Sequence, residues 1–290
     1  MVAYFRPATL NEALALRAGR DLRVLAGGTD VYPMRATREA WGDTAHQDVL
    51  DITAIPGLRG ISTDDVHHRI GCLTTWTDLI EAPLPPAFDG LKRAAREVGG
   101  VQIQNRGTIV GNICNASPAA DGTPCLLTLD AEVEIARAGA TRTVALADFF
   151  DGYRSTVCRP GEIVTAILVP RLPEASSSRF LKLGARHYLV ISIVMVAGVI
   201  VPDASGRIAD ARIAVGSCSV AARRLPGLEA DLKGRALDAR FADVVADAHF
   251  ADLAPIDDIR ATAGYRRQAA TSLVRDLLLG FVGAVEGRAA

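Results

Sequence analysis

The sequence predicts an α+β protein in two domains, and three observations lead there. Strand-like and helix-like segments alternate as far as Val169. The run PRLPEASSSR, Pro170 to Arg179, then interrupts apolar sequence on both sides with two prolines and three consecutive serines. Beyond it comes a smaller unit of strands followed by helix. The boundary is expected within that run, giving domains 1–175 and 176–290. With 290 residues, 49% hydrophobic and 22% charged, the chain can bury a core without disulfide or metal staples.

The elements follow in order. MVAYFRPATLNEAL enters a helical pattern almost at once. Arg23 to Ala26 reads as a short buried strand and HQDVLDIT, around Val49, Leu50 and Ile52, as another. Gly60 to Thr74 reads as a hairpin turning at Asp64 and Asp65. Phe88 to Val98 has apolar spacing at Leu91, Ala94, Ala95 and Val98 and stops at Gly99 and Gly100, so a helix is expected. After Gly122 a short helix and two strands turning at Ala138 and Gly139 are expected, then a strand over Glu162 to Val169. Past the seam, Phe180 to Leu183, Tyr188 to Val201 and Arg212 to Gly216 read as strands. A helix over Tyr265 to Phe281 carries Ala269, Leu273, Leu277 and Phe281 as its apolar stripe, widened by Val274 and Leu278.

Composition excludes several function classes. Lys+Arg 32 against Asp+Glu 33 leaves a net charge of -1, and aromatic content is 5%, so neither a general basic field nor stacking platforms for nucleic acid are expected. The longest nearly uncharged run, Tyr188 to Val201, falls short of the roughly 20 residues of a membrane-crossing helix. The opening residues carry no secretory pattern, and a cytoplasmic location is expected. Cys72, Cys114, Cys125, Cys158 and Cys218 form no C-x-x-C pair, which argues against a disulfide framework or a metal or cluster site in this chain. His67 and His68, adjacent on a strand, would point to opposite faces and make poor joint ligands.

Three segments carry chemistry. VLAGGTD, Val24 to Asp30, leads a strand into Gly27 and Gly28, where successive backbone N–H groups can converge on an anion. With no lysine or arginine beside them, the backbone itself would do the neutralising. A plain Gly-Gly turn would read the same way. RGTIVGNICNASPAADGTP, Arg106 to Pro124, gathers Gly107, Thr108, Gly111, Asn112, Asn115 and Ser117 with only Arg106 and Asp121 charged. Ser117 followed by Pro118 reads as a helix start, the hydroxyl as N-cap and proline at the first position. Such a segment suits a diphosphate, with Asp121 accepting from ribose hydroxyls; a structural Asn/Gly loop is the alternative. FLKLGARHYLVIS, Phe180 to Ser192, places Lys182 and Arg186 before an apolar run, either beside an anionic ligand or as solvated side chains. Neither G-x-G-x-x-G after a strand, nor a P-loop, nor G-x-S-x-G occurs.

Taken together, AGGTD, TIVGN-x-x-NASPAAD, E-I-V-x-x-I-x-V-P, F-x-K-x-x-x-R and Y-R-R, in that order over nearly the whole chain, resemble the FAD-binding medium subunit of molybdenum hydroxylases. This is the family of the carbon monoxide dehydrogenase and xanthine dehydrogenase flavoprotein subunits. The resemblance implies an FAD-binding domain of the vanillyl-alcohol-oxidase (PCMH) type in two subdomains, followed by a small α+β C-terminal domain. It implies that Ala26, Gly27, Gly28, Thr29 and Asp30, together with Thr108, Gly111 and Asn112, hold the FAD diphosphate. Asp121 matches a carboxylate near the adenosine ribose, Val164 and Lys182 match positions close to the isoalloxazine, and Val98 aligns with a position beside the flavin. One departure stands out: many relatives have an acidic residue where this chain has Val190.

The resemblance also implies an oxidoreductase subunit with non-covalent FAD. Its partners would be a large subunit with the molybdenum cofactor and a small one with two [2Fe-2S] clusters, and electrons would pass to an external acceptor such as NAD or a quinone. No catalytic residue for the hydroxylation is then expected in this chain. The alternatives are a free-standing flavin oxidase or reductase of the same fold, and a nucleotide-binding module without redox function.

Overall fold

The computed structural model describes residues 3–43, 45–238 and 240–286. A small parallel sheet comes first. Its strands β1 (Tyr4–Phe5), β2 (Leu22–Leu25) and β3 (Asp48–Asp51) run in the order β1-β3-β2. Parallel neighbours need crossovers, supplied by helices α1 (Leu10–Ala18) and α2 (Val31–Ala40). Thr9 caps α1, its side-chain oxygen accepting from the Glu12 amide at 3.3 Å. β2 buries Leu22 and Leu25 and then runs out into Ala26 and the two glycines.

The second sheet is antiparallel. It begins with the expected hairpin, β4 (Ile61–Thr63) and β5 (His67–Gly71), whose turn is closed by Asp64 Oδ1 accepting from the amides of Val66 and His67. His67 and His68 do face opposite ways. His68, however, is buried rather than on the surface: its Nδ1 lies 2.8 Å from Thr63 Oγ1, its ring meets Phe88 edge-on, and burial lowers its pKa. Five helices follow: α3 (Trp76–Glu81), α4 (Asp89–Glu97), α5 (Val101–Gln104), α6 (Ile109–Cys114) and α7 (Gly122–Thr128). α4 buries Leu91, Ala94 and Ala95, as its spacing predicts. Strands β6 (Glu132–Arg137) and β7 (Ala140–Ala145) turn at Ala138 and Gly139. A two-stranded hairpin, β8 (Phe150–Gly152) and β9 (Ser155–Thr156), precedes the central strand β10 (Ile163–Pro170). The order is β4-β5-β10-β6-β7, with a register shift in β10 between Val164 and Ala166.

The third sheet consists of β11 (Ser177–Leu183), β12 (Val194–Pro202), β13 (Ile208–Gly216) and β14 (Arg223–Arg224), all antiparallel. β12 explains its own composition. Met195, Ala197, Val199 and Val201 point into the core shared with the first two sheets, whereas Val194, Val196 and Ile200 point into a second core under α8 (Pro226–Leu232) and α9 (Ala263–Glu286). A strand covered on both faces reads as a continuous apolar run instead of an alternating one. α9 packs so close that a Cβ on Gly198 would lie 2.9 Å from Leu277 Cδ2. The buried stripe of α9 runs through Ala270, Val274, Leu277, Leu278 and Phe281, with Ala269 and Leu273 half-buried beside it.

Two strand expectations shift. Tyr188 to Ile193 lie outside β12, because Leu189 adopts a left-handed backbone (φ 52) and Ser192 turns its hydroxyl to Asp121. β11 starts within the serine run, since the Ser178 hydroxyl accepts from the Gly90 amide at 2.8 Å and fastens that end to α4. Among the described residues no helix is long and apolar enough to cross a membrane.

Candidate functional site

A cavity of about 810 Å³ is lined by Ala26, Gly27, Gly28, Thr29, Asp30, Val98, Thr108, Gly111, Asn112, Asp121, Val164 and Lys182, together with neighbours from every part of the chain up to Ile191. Residues far apart in sequence thus share one wall. The volume is that of a small-molecule or cofactor site.

The first glycine-rich segment connects β2 to α2. Gly28 has φ +78, open to glycine at little cost, and a Cβ there would lie 2.8 Å from the Tyr32 ring. Gly27 is required for a different reason: its Cβ would fall 2.0 Å from the Arg106 carbonyl oxygen, so the two glycine-rich segments touch backbone to backbone. Among the described residues, the amides of Gly27, Gly28, Thr29 and Asp30 donate no hydrogen bond. Four neighbouring unpaired donors on a cavity wall form an anion-binding surface.

The second segment differs from the expected loop. From Ile109 it is helix α6, capped by Thr108, whose Oγ1 accepts from the Gly111 amide at 3.0 Å. The Gly111 N–H is therefore occupied, as is that of Asn112, which donates to the Thr108 carbonyl. Asn112 lines the cavity, while its Oδ1 is buried against Gly122 without a hydrogen-bond partner. Ser117 and Pro118 do not start a helix. They form a turn in which the Ala120 amide donates to the Ser117 carbonyl, and α7 begins at Gly122, packed against Trp76. Ala116 just before them is left-handed, φ 48, and the Ser117 hydroxyl accepts from the Ala119 amide at 3.3 Å.

Asp121 and Lys182 were expected near different ends of a dinucleotide. The structure joins them: Lys182 Nζ lies 2.6 Å from Asp121 Oδ2, both side chains are at least nine-tenths buried, and the Ser192 hydroxyl donates to Asp121 Oδ1 at 2.5 Å. They occupy one place on the cavity wall. Burial pushes the Asp121 carboxyl above its ordinary range, against the pull of Lys182 and Ser192. Ser192 is the residue sequence reading missed here, because it sits inside what looked like a strand.

Val98 follows α4, Val164 lies at the irregular end of β10, and Val190 and Ile191 complete the apolar part of the lining. Cys114 is exposed and lines the cavity, and desolvation pushes its thiol pKa up. The two glycines have no cation next to them, but Arg23 from the same strand, with Arg17 and Arg154 from elsewhere in the chain, lines the same cavity. Local sequence holds no signal for that convergence.

The comparisons with known proteins agree with this geometry. Residues 1–172 match the family described as the FAD binding domain in molybdopterin dehydrogenase, and residues 179–281 match the CO dehydrogenase flavoprotein C-terminal domain. The chain is 30% identical to the carbon monoxide dehydrogenase medium chain of Hydrogenophaga pseudoflava, over 95% of each chain. It is 29% identical to the putative xanthine dehydrogenase FAD-binding subunit of Escherichia coli K12, over 99% of this chain and 98% of the relative. Among solved structures, the reconstituted CO dehydrogenase from Oligotropha carboxidovorans superposes with a TM-score of 0.88 at 29% identity, covering 96% of each chain. The fold is that of a PCMH-type FAD-binding domain followed by a C-terminal domain. The chain belongs to the family of FAD-binding medium subunits of molybdenum hydroxylases.

Proposed function

We propose that the cavity holds FAD without a covalent link and that the chain is the electron-transfer subunit of a three-subunit molybdenum hydroxylase. The observation that carries this is the run of unused donors on the cavity wall: the amides of residues 27–30 suit a diphosphate, with Asn112 lining the same cavity beside them. Ala26, Gly27, Gly28, Thr29, Asp30, Thr108, Gly111 and Asn112 hold the nucleotide end in this reading. Val98, Val164 and the Asp121–Lys182 pair form the remaining wall. Thr108 and Gly111 act by building α6 and aiming Asn112. The lining described contains no histidine, and the raised pKa of the Cys114 thiol disfavours the thiolate that would attack a flavin.

Bound FAD would supply the capacity to accept electrons and pass them on; the protein supplies orientation and electrostatics. Val190 brings no charge at the position where many relatives place a carboxylate, and a missing carboxylate there opposes added negative charge less, favouring a higher flavin potential. Electrons arrive from [2Fe-2S] clusters of a small partner subunit, a large subunit holds the molybdenum cofactor, and an external acceptor takes the electrons. The description of one relative as a medium chain supports such an assembly. A division near residue 175 accords with the two packed cores, although β11 and β12 contribute to both. Five free cysteines suit a reducing cytoplasm.

The purified chain is expected to be yellow, to release all its flavin on acid precipitation and to be reduced by a chemical donor. Substrate-dependent dye reduction is expected only after the cluster and molybdenum subunits are added. Turnover by this chain alone would establish the free-standing flavoenzyme instead.

A further inference from the structure

Three loops meet beside the cavity through a chain of side-chain hydrogen bonds. Asn115 Nδ2 donates to Asp30 Oδ1 at 2.8 Å, and Asn115 Oδ1 accepts from Arg154 Nη1 at 3.0 Å. Asp30 closes the amide-lined turn, Asn115 follows α6, and Arg154 stands at the turn of the β8–β9 hairpin. All three line the cavity.

The backbone at Arg154 is left-handed, with φ 51, a conformation that costs a non-glycine residue about 1–2 kcal/mol. Glycine would hold the same turn without that cost. What arginine adds is a fixed positive charge and five N–H donors in a planar fork. One donor is used on Asn115, and among the described residues the side chain makes no other hydrogen bond or ion pair. Strained residues of this kind gather where a side chain is needed in one place.

Charge balance says what the fork is for. A diphosphate in front of the 27–30 amides would lie close to the Asp30 carboxylate, a like-charge contact. Asn115 already occupies an oxygen of that carboxylate and, through its own carbonyl, holds a guanidinium on the same side. We propose that Arg154 is a ligand of the cofactor diphosphate, delivered by the β8–β9 hairpin and aimed by Asn115. This rests on reading the cavity as the FAD site.

The test is titration of the full chain, freed of flavin, with FAD, ADP and riboflavin. Arg154→Gln and Arg154→Gly are expected to raise the Kd for FAD and ADP tenfold to a hundredfold, about the loss of a charge-assisted hydrogen bond, and to leave riboflavin within about twofold. Arg154→Lys should recover part of the loss, since a charge returns without the fork. Arg154→Gly should melt no lower than wild type, because it relieves the left-handed backbone. Unchanged FAD and ADP binding in both variants, with wild type binding both, overturns the assignment of Arg154 alone. Equal losses for riboflavin and ADP with a lowered Tm make the residue structural and overturn it too. A wild-type chain that binds neither FAD nor ADP overturns the site reading, and the proposal with it.

Discussion

In the segment 26–30 four successive amides have no acceptor, whereas in 107–112 the amides of Gly111 and Asn112 are both taken by Thr108. Both segments are rich in glycine and both line the same cavity. The difference is position relative to a helix: Gly111 and Asn112 lie within α6, whereas residues 27–30 precede α2. Thr108 caps α6 through the Gly111 amide, while α2 starts only at Val31 and the amides of residues 27–30 ahead of it meet no acceptor. The aspartates beyond the two segments differ in the same sense. Asp30 is exposed on the rim, and Asp121 is buried against Lys182 and Ser192.

The largest effect is expected from that second contrast. Asp121→Asn removes one partner of a buried ion pair and leaves the Lys182 charge uncompensated, a loss of about 3–5 kcal/mol in denaturant unfolding. Asp30→Asn should cost under about 0.5 kcal/mol as an exposed change. Equal losses would erase the distinction between rim and wall.

Next comes Gly27→Ala. A Cβ at 2.0 Å from the Arg106 carbonyl oxygen must push the two segments apart, so we expect loss of FAD from the purified protein and destabilisation of about 3 kcal/mol. Normal FAD content would show that the backbone contact is dispensable.

Asn112→Ala separates binding from stability. Removing an unpaired buried acceptor should leave the flavin-free protein as stable as before, while FAD binding weakens by about 1–3 kcal/mol. Fluorescence titration and a melting curve on the same sample decide it; a fall in Tm with unchanged affinity would assign Asn112 to the fold.

Thr108→Ala is the smallest of these. It removes a helix cap, about 1 kcal/mol of stability, and frees the Gly111 amide. If that amide met the phosphates directly, as the glycine pattern alone suggests, uncapping it would leave affinity intact or improve it. A modest weakening is expected instead, because α6 would no longer aim Asn112.

Local pattern was enough for α1, α4, α9 and the β4–β5 hairpin, since capping, periodicity and turn chemistry are properties of neighbouring residues. The family motifs pointed to twelve residues that share the cavity lining with many others, because a turn needing glycine or an amide at a fixed offset leaves a short signature. Local pattern was not enough for Tyr188 to Ile193, where an apolar run hides a loop, or for Ser117 and Pro118, where a good helix start gives a single turn and the helix begins only at Gly122. The sequence by itself determined which residues are apolar, which turns need glycine and which family the chain resembles. Only the tertiary structure decided that Asp121 meets Lys182 and Ser192, that β12 divides its side chains between two cores, and that Arg154 reaches Asn115. These are long-range contacts, set by how sheets and helices pack, and no window of neighbouring residues contains both partners.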